Sequence, residues 1–323
     1  MTHIAIVGAG FLGSALGRGA VHRGCEVTVV GHSDPFSLSD GEFTSSGNRL
    51  IIGSGADHIP GIIENGVDVI FVAAGGRFPV PSSIEPSADA IGTLSLLIPI
   101  CEAVRSSPTA TRIVFLSSAG AVYSPGAVPK KESDLGEPTS PYGMSRLTGE
   151  HYLSYYRRVH GLRTHSLRCA NIYGRLLPSS RGQGVISAAF RSALTGEPFR
   201  LYGDGRQIRD FIHVDDFVQA ALDLVCDGIE PPEVINVGSG VGYSISQVLE
   251  RVSVAMKSEI PVVTGPTSNT DVGRLVTDVS LLRTLVAFEP RPPDVGIDLM
   301  ADTIARSGPA GRRWESSAAD PAL

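Results

Sequence analysis

Lysine is almost missing from this 323-residue chain: of 27 basic residues only Lys130, Lys131 and Lys257 are lysine, and the rest are arginine. No long basic block occurs and the net charge is -6, which excludes the electrostatic footprint of a nucleic-acid binder or of a protein held on an anionic membrane. Cysteine is scarce too. Cys25, Cys101, Cys169 and Cys226 lie far apart with no C-x-x-C or Cys/His ligand spacing, so no metal site is expected and buried, reduced thiols are. No apolar run reaches the roughly 18 residues of a membrane span. The start, Met1 to Val7, enters a strand-like segment without a basic leader or cleavage site, so a soluble, cytoplasmic protein with a small-molecule ligand is expected.

Short apolar runs alternate with helical stretches through the first half. His3–Val7, Val27–Val30, Leu50–Ile52, Val67–Ala73, Arg112–Leu116 and Thr164–Leu167 read as strands. Phe11–Arg23, Ala90–Val104 and Pro141–His160 read as helices, with Pro141 suited to a first helical position. The alternation predicts an α/β fold, a doubly wound parallel sheet with helices on both faces. Beyond Arg168 the pattern loosens: Gln183–Thr195 and Asp215–Cys226 predict helices, Val234–Val237 a strand, and Ser244-Ile-Ser-Gln247 a capping box. Two interleaved domains follow, residues 1–170 plus about 211–237 for a dinucleotide and about 171–210 plus 238–305 for the substrate. The Gly-, Ser- and Ala-rich segment 306–323 predicts a disordered tail.

Gly8-Ala-Gly10-Phe11-Leu12-Gly13 follows the first strand and opens a helix, the context in which a GxGxxG pattern has a mechanism. Gly8 permits the tight turn, Gly10 lets backbone approach a pyrophosphate, and Gly13 allows close helix packing. The carboxylate that marks NAD should end the second strand, but Gly31-His32-Ser33 stands there. His32 is a candidate ribose contact. No adjacent arginine awaits a 2'-phosphate, so NAD and NADP both stay open.

With the glycine turn, Leu116-Ser-Ser-Ala-Gly-Ala-Val-Tyr123, Pro141-Tyr-Gly-Met-Ser-Arg146, Leu167-Arg-Cys-Ala-Asn-Ile-Tyr-Gly174 and Arg209-Asp-Phe-Ile-His-Val-Asp215 complete an ordered set. The chain resembles the extended short-chain dehydrogenase/reductases, in particular the nucleotide-sugar epimerase/dehydratase group and its UDP-sugar 4-epimerases, over roughly residues 3 to 300. The resemblance implies a Rossmann-like domain, a smaller substrate domain, a UDP- or dTDP-sugar substrate, NAD, and a homodimer. It makes Tyr142 the acid/base and puts Arg146 where the family has lysine. A phenol with a pKa near ~10 needs nearby positive charge to act as a base at neutral pH, and Arg146, four positions on, shares its helix face. A pairing of Arg146 with Glu150 is the structural alternative.

The family's catalytic Ser or Thr falls at Ala119, leaving Ser118 as the candidate hydroxyl. Ala73 joins the cofactor set, while Asp89 stands for a family asparagine and Ser54 for a family acid. For the substrate, the resemblance implies Asn171 and Arg209 on the diphosphate, Asp271 on the ribose, and Arg274 in place of a lost arginine. Leu275 falls near the position that limits bulk around the sugar. A 4-epimerase is the leading expectation. A ketoreductase consuming NADPH and a noncatalytic sugar-nucleotide sensor are the alternatives.

Overall fold

The computed structural model describes the chain except residues 35, 37, 39, 40, 45, 46, 125, 127, 179–183, 227, 267–272 and 308–323, together with the side chains of 41, 42 and 307. Its main layer is a parallel sheet of β1 (His3–Val7), β2 (Glu26–Gly31), β3 (Arg49–Ile52), β4 (Val69–Val72), β5 (Arg112–Ser118), β6 (Arg163–Cys169) and a later strand, β10 (Val234–Val237). The order across the sheet is β10-β6-β5-β4-β1-β2-β3, so the winding reverses at β1. A crevice opens at such a reversal, beyond the carboxyl ends of the strands.

β1, β2, β4 and β5 are rich in Val, Ile, Leu and Phe because both their faces are covered, whereas β6 carries the buried polar residues Thr164, His165, Ser166 and Arg168. Residues alternate between two cores. Ile4, Ile6, Val27, Val29, Val69 and Phe71 meet α1 (Phe11–His22) and α9 (Val214–Cys226) on one face. Ala5, Val7, Val30, Ile70, Val72, Ile113 and Phe115 meet α3 (Gly55–Glu64), α5 (Pro86–Ser106) and α7 (Pro141–His160) on the other. By length and composition alone α5 could cross a membrane. Here Leu97, Ile100, Cys101 and Val104 seat it on the sheet as a core helix. The short helices α2 (Gly41–Thr44), α4 (Pro79–Ile84) and α6 (Ala119–Val122) lie in connections. Burial pushes the Cys101 thiol up to about 12, in keeping with an inert core cysteine.

A second layer follows β6. The strand β9 (Ile208–His213) pairs in parallel with β7 (Asn171–Tyr173) and β13 (Arg274–Leu275), and antiparallel with β11 (Gly242–Ser244). β8 (Phe199–Tyr202) pairs with β12 (Val262–Gly265). α8 (Val185–Thr195), α10 (Ile245–Met256) and α12 (Pro293–Ser307) contribute to a third apolar core, while α11 (Ser280–Leu285) joins the first through Leu282. The capping box forms as expected: Ser244 accepts from the Gln247 amide at 3.1 Å and the Gln247 side chain accepts from the Ser244 amide at 2.8 Å. Residues 211–213 belong to this small sheet, and residues 306 and 307 complete α12 rather than starting a disordered tail.

His165, in the middle of β6, is buried with one ring nitrogen against the Pro232 carbonyl at 3.0 Å, and burial pushes its pKa down to about 4. The unfolded chain takes up a proton below about pH 6.5 that the folded one refuses until about pH 4. Stability therefore falls as the pH drops through that window, by up to about 3 kcal/mol from this group. Urea midpoints measured between pH 7 and 4.5 should decline, and His165→Gln should flatten the decline. An unchanged slope in the variant would assign the acid sensitivity to other groups.

Candidate functional site

The glycine turn occupies the reversal point. Gly8 has φ +115°, and a Cβ there would lie 2.9 Å from the Ala74 side chain; a Cβ on Gly13 would fall 1.7 Å from the Gly8 carbonyl oxygen. Gly10 caps α1 in extended conformation without a side-chain bond, so Phe11, Leu12 and Gly13 present first-turn amides outside the helix ladder. Backbone amides and the helix dipole make this a cradle for a pyrophosphate. Ala73 closes its floor, donating to Val7 at 2.8 Å.

At the ribose position the missing acid has a steric cause. A Cβ on Gly31 would sit 2.6 Å from the Ala9 side chain and 2.8 Å from the Ala9 nitrogen, so the strand end has no room for any side chain. His32 follows it and is exposed. Ser54 caps α3 by position but makes no side-chain cap bond.

Tyr142 stands in the first turn of α7. Ser140 caps this helix by accepting from the Gly143 amide at 3.1 Å, and Pro141 presets its first turn. The Arg146 guanidinium lies 4.9 Å from the Tyr142 ring centroid and 5.3 Å from that of Phe115. It donates to the Leu116 carbonyl at 3.5 Å and to the Gly75 carbonyl, while its Nε finds no partner among the described residues. The guanidinium is thus stacked and forked, uses that a single ammonium cannot reproduce.

Arg146 does not pair with Glu150. That carboxylate accepts from Arg168 at 2.8 Å and from the Ser117 hydroxyl at 2.5 Å, all three side chains buried. Arg168 also lies 4.7 Å from the Tyr123 ring, whose hydroxyl donates to Asn236 at 2.7 Å. With Ser117 engaged, Ser118 is the loop hydroxyl that remains half-buried and without a bond among the described residues. Ala119 is fully buried against Tyr123 and Leu275. Asp89 is turned away from the crevice: it accepts from Ser145 at 2.5 Å and from the Arg77 amide at 2.6 Å, tying α5, α7 and the loop after β4 together.

At the other side of the crevice, the small sheet gathers the diphosphate candidates on adjacent strands. Asn171 is exposed on β7 and donates to the Asp210 carbonyl at 2.9 Å. Arg209 on β9 is in register with Leu275, one position from exposed Arg274 on β13. Asp271 lies outside the described residues. The two carboxylates that follow Arg209 in its motif, Asp210 and Asp215, are engaged with other groups. Asp210 accepts from the Ser239 and Thr277 hydroxyls at 2.7 and 2.5 Å, and Asp215 faces His213 and Arg291. Asp210 is the residue that motif reading overlooked; its signal was its place beside Arg209, since a buried acid must find several donors. His213 is a scaffold residue, edge-on to Tyr173 at 5.4 Å, with burial lowering its pKa. Among the described residues no cluster of His, Cys, Asp or Glu has the arrangement of a metal site.

A doubly wound sheet, a glycine cradle at its reversal point and a Tyr-Arg pair beside it define a dinucleotide-binding enzyme of the extended short-chain dehydrogenase/reductase type. The chain belongs to the NAD dependent epimerase/dehydratase family, whose model matches residues 4–238. The UDP-glucose 4-epimerase of Corynebacterium glutamicum is 26% identical over 301 residues, covering 89% of this chain and 90% of that protein. The Thermotoga maritima UDP-glucose 4-epimerase solved with UDP-glucose superposes with a TM-score of 0.84 at 26% identity, covering 95% of this chain and 99% of its own. The Thermus thermophilus UDP-glucose 4-epimerase solved with NAD gives 0.82 at 26% identity, covering 94% and 99%.

Proposed function

We propose that this protein is an NAD-dependent nucleotide-sugar 4-epimerase. The observation that carries the reading is the Tyr142–Arg146 stack, next to the cradle for a dinucleotide and across the crevice from Asn171, Arg209 and Arg274. NAD, when bound, supplies the oxidation and re-reduction at C4 of the sugar. Tyr142 accepts the proton of the 4-hydroxyl and returns it, and Arg146, stacked on its ring, holds the ring in place. Ser118 offers the free hydroxyl that steadies the sugar oxygen. Arg209 and Arg274 clamp the diphosphate of a UDP- or dTDP-sugar, with Asn171 beside them.

The loop that forms α6, Ala119-Gly-Ala-Val122, carries no carboxylate, which argues against a 4,6-dehydratase using acids there. The division into two interleaved domains, with the crevice between them, belongs to the same reading, as does a cytoplasmic location. A homodimer through α5 and α7 is supported by exposed Ile91, Tyr152, Tyr155 and Val159 on those helices.

The closed position at Gly31 favours a second reading, an NADPH-consuming ketoreductase, because no acid there repels a 2'-phosphate. Incubation with UDP-, dTDP- and GDP-sugars, followed by NMR of the sugars and mass spectrometry of the retained dinucleotide, separates the two. Interconversion of 4-epimers with NAD retained and no net turnover of it is expected. Stoichiometric NADPH oxidation would replace the epimerase with the reductase.

A further inference from the structure

One cation at the edge of the crevice has no counter-charge bonded to it. Arg175 follows Gly174, which has φ +131° and whose Cβ would fall 2.8 Å from Val214 and 2.9 Å from His213. Only glycine makes that turn. The turn leaves the small sheet after β7 and sets Arg175 beside the glycine cradle. Its guanidinium lies 5.7 Å from the Phe36 ring centroid, and Phe36 lies 6.3 Å from Phe11, the first residue of α1. Arg18, further along α1, donates to the Phe36 carbonyl at 3.5 Å, bringing a second guanidinium to the same place.

Arg175 is half-buried and makes no hydrogen bond or ion pair with any described residue, its guanidinium lying near the Phe36 ring. Burial and Arg18 both lower its pKa, opposed by Asp215, which is 68% exposed and turned to His213 and Arg291. A guanidinium does not escape by losing its proton. A guanidinium that is partly desolvated, unpaired among the described residues and repelled by a second arginine is held at a cost that a bound anion would offset.

We infer that Arg175 binds the diphosphate of the dinucleotide, reaching it from the small-sheet side while the first-turn amides of α1 hold the other side. This rests on the dinucleotide occupying the glycine cradle. The 2'-phosphate of NADP is the competing partner for this charge, since position 31 itself carries no acid.

Calorimetric titration of the full-length protein, stripped of cofactor, with NADH, NADPH, ADP and adenosine tests the assignment. Arg175→Leu should weaken NADH, NADPH and ADP alike by about 10- to 100-fold, the worth of a charge-assisted bond. Adenosine should be unaffected, and Arg175→Lys should recover part of the loss. Weakening confined to NADPH would overturn the diphosphate assignment in favour of the 2'-phosphate. Unchanged affinities in a variant with wild-type circular dichroism would overturn both. A wild-type protein that binds no dinucleotide would instead sink the cofactor reading, leaving the two failures distinguishable.

Discussion

Tyr142→Phe should lower 4-epimerase turnover by about 1,000-fold while leaving NADH and sugar-nucleotide affinity near wild type. The substitution removes one oxygen from a half-buried ring whose packing on Arg146 does not depend on it. Losing a positioned general acid/base costs about 10²- to 10⁴-fold, and no other described side chain with a comparable proton stands in the first turn of α7. A panel of UDP-, dTDP- and GDP-sugars turned over at the wild-type rate by the variant would remove Tyr142 from the chemistry. A panel turned over by neither protein would favour the noncatalytic sensor. Arg146→Lys sharpens the same test. The guanidinium bonds two carbonyls, of Gly75 and Leu116, while lying on two rings, so the change should cost activity, by roughly tenfold, rather than restore it. A gain would mean that arginine merely tolerates a place better filled by lysine.

Glu150→Ala should cost about 3–5 kcal/mol in folding free energy, because it strands the Arg168 charge in the core. The two side chains are 4% and 6% exposed, so water cannot take over the lost partner. Ser117 loses its acceptor at the same time. Urea unfolding should show a sharply lower midpoint at an unchanged slope. The exposed Glu102–Arg105 pair is the control: Arg105→Ala there should leave the midpoint close to wild type. Equal small effects at both sites would show that the Arg168 charge reaches solvent after all.

The large sheet was legible in the sequence because burial on both faces writes β1, β2, β4 and β5 as apolar runs, and β10 was read with its observed ends. The same holds for α7, whose Pro141 and Gly161 mark its start and stop. The small sheet was not legible. β7, β11 and β13 span two or three residues, too few to show a period, and they form only when β9 offers its edges. The chemistry at the crevice divides in the same way. The turn Gly8 to Gly13 and the pair Tyr142–Arg146 are local patterns. The capture of Glu150 by Arg168 and of Asp89 by Ser145 depends on strands and helices distant in sequence, so spacing could offer Arg146–Glu150 only as an alternative and could not dismiss it.

The contact between Ala9 and Gly31 constrains the order in which this lineage could change its coenzyme preference. An acid introduced at position 31 meets the Ala9 side chain at once, so Gly31→Asp alone should disrupt the turn before it can bind a ribose. Ala9→Gly removes the atom in the way but leaves the nearby Ala9 nitrogen, so the backbone must also give slightly. The two substitutions are therefore coupled, and the harmless one has to come first. Single changes at position 31 therefore meet the Ala9 obstacle first, which gives this glycine a persistence of its own.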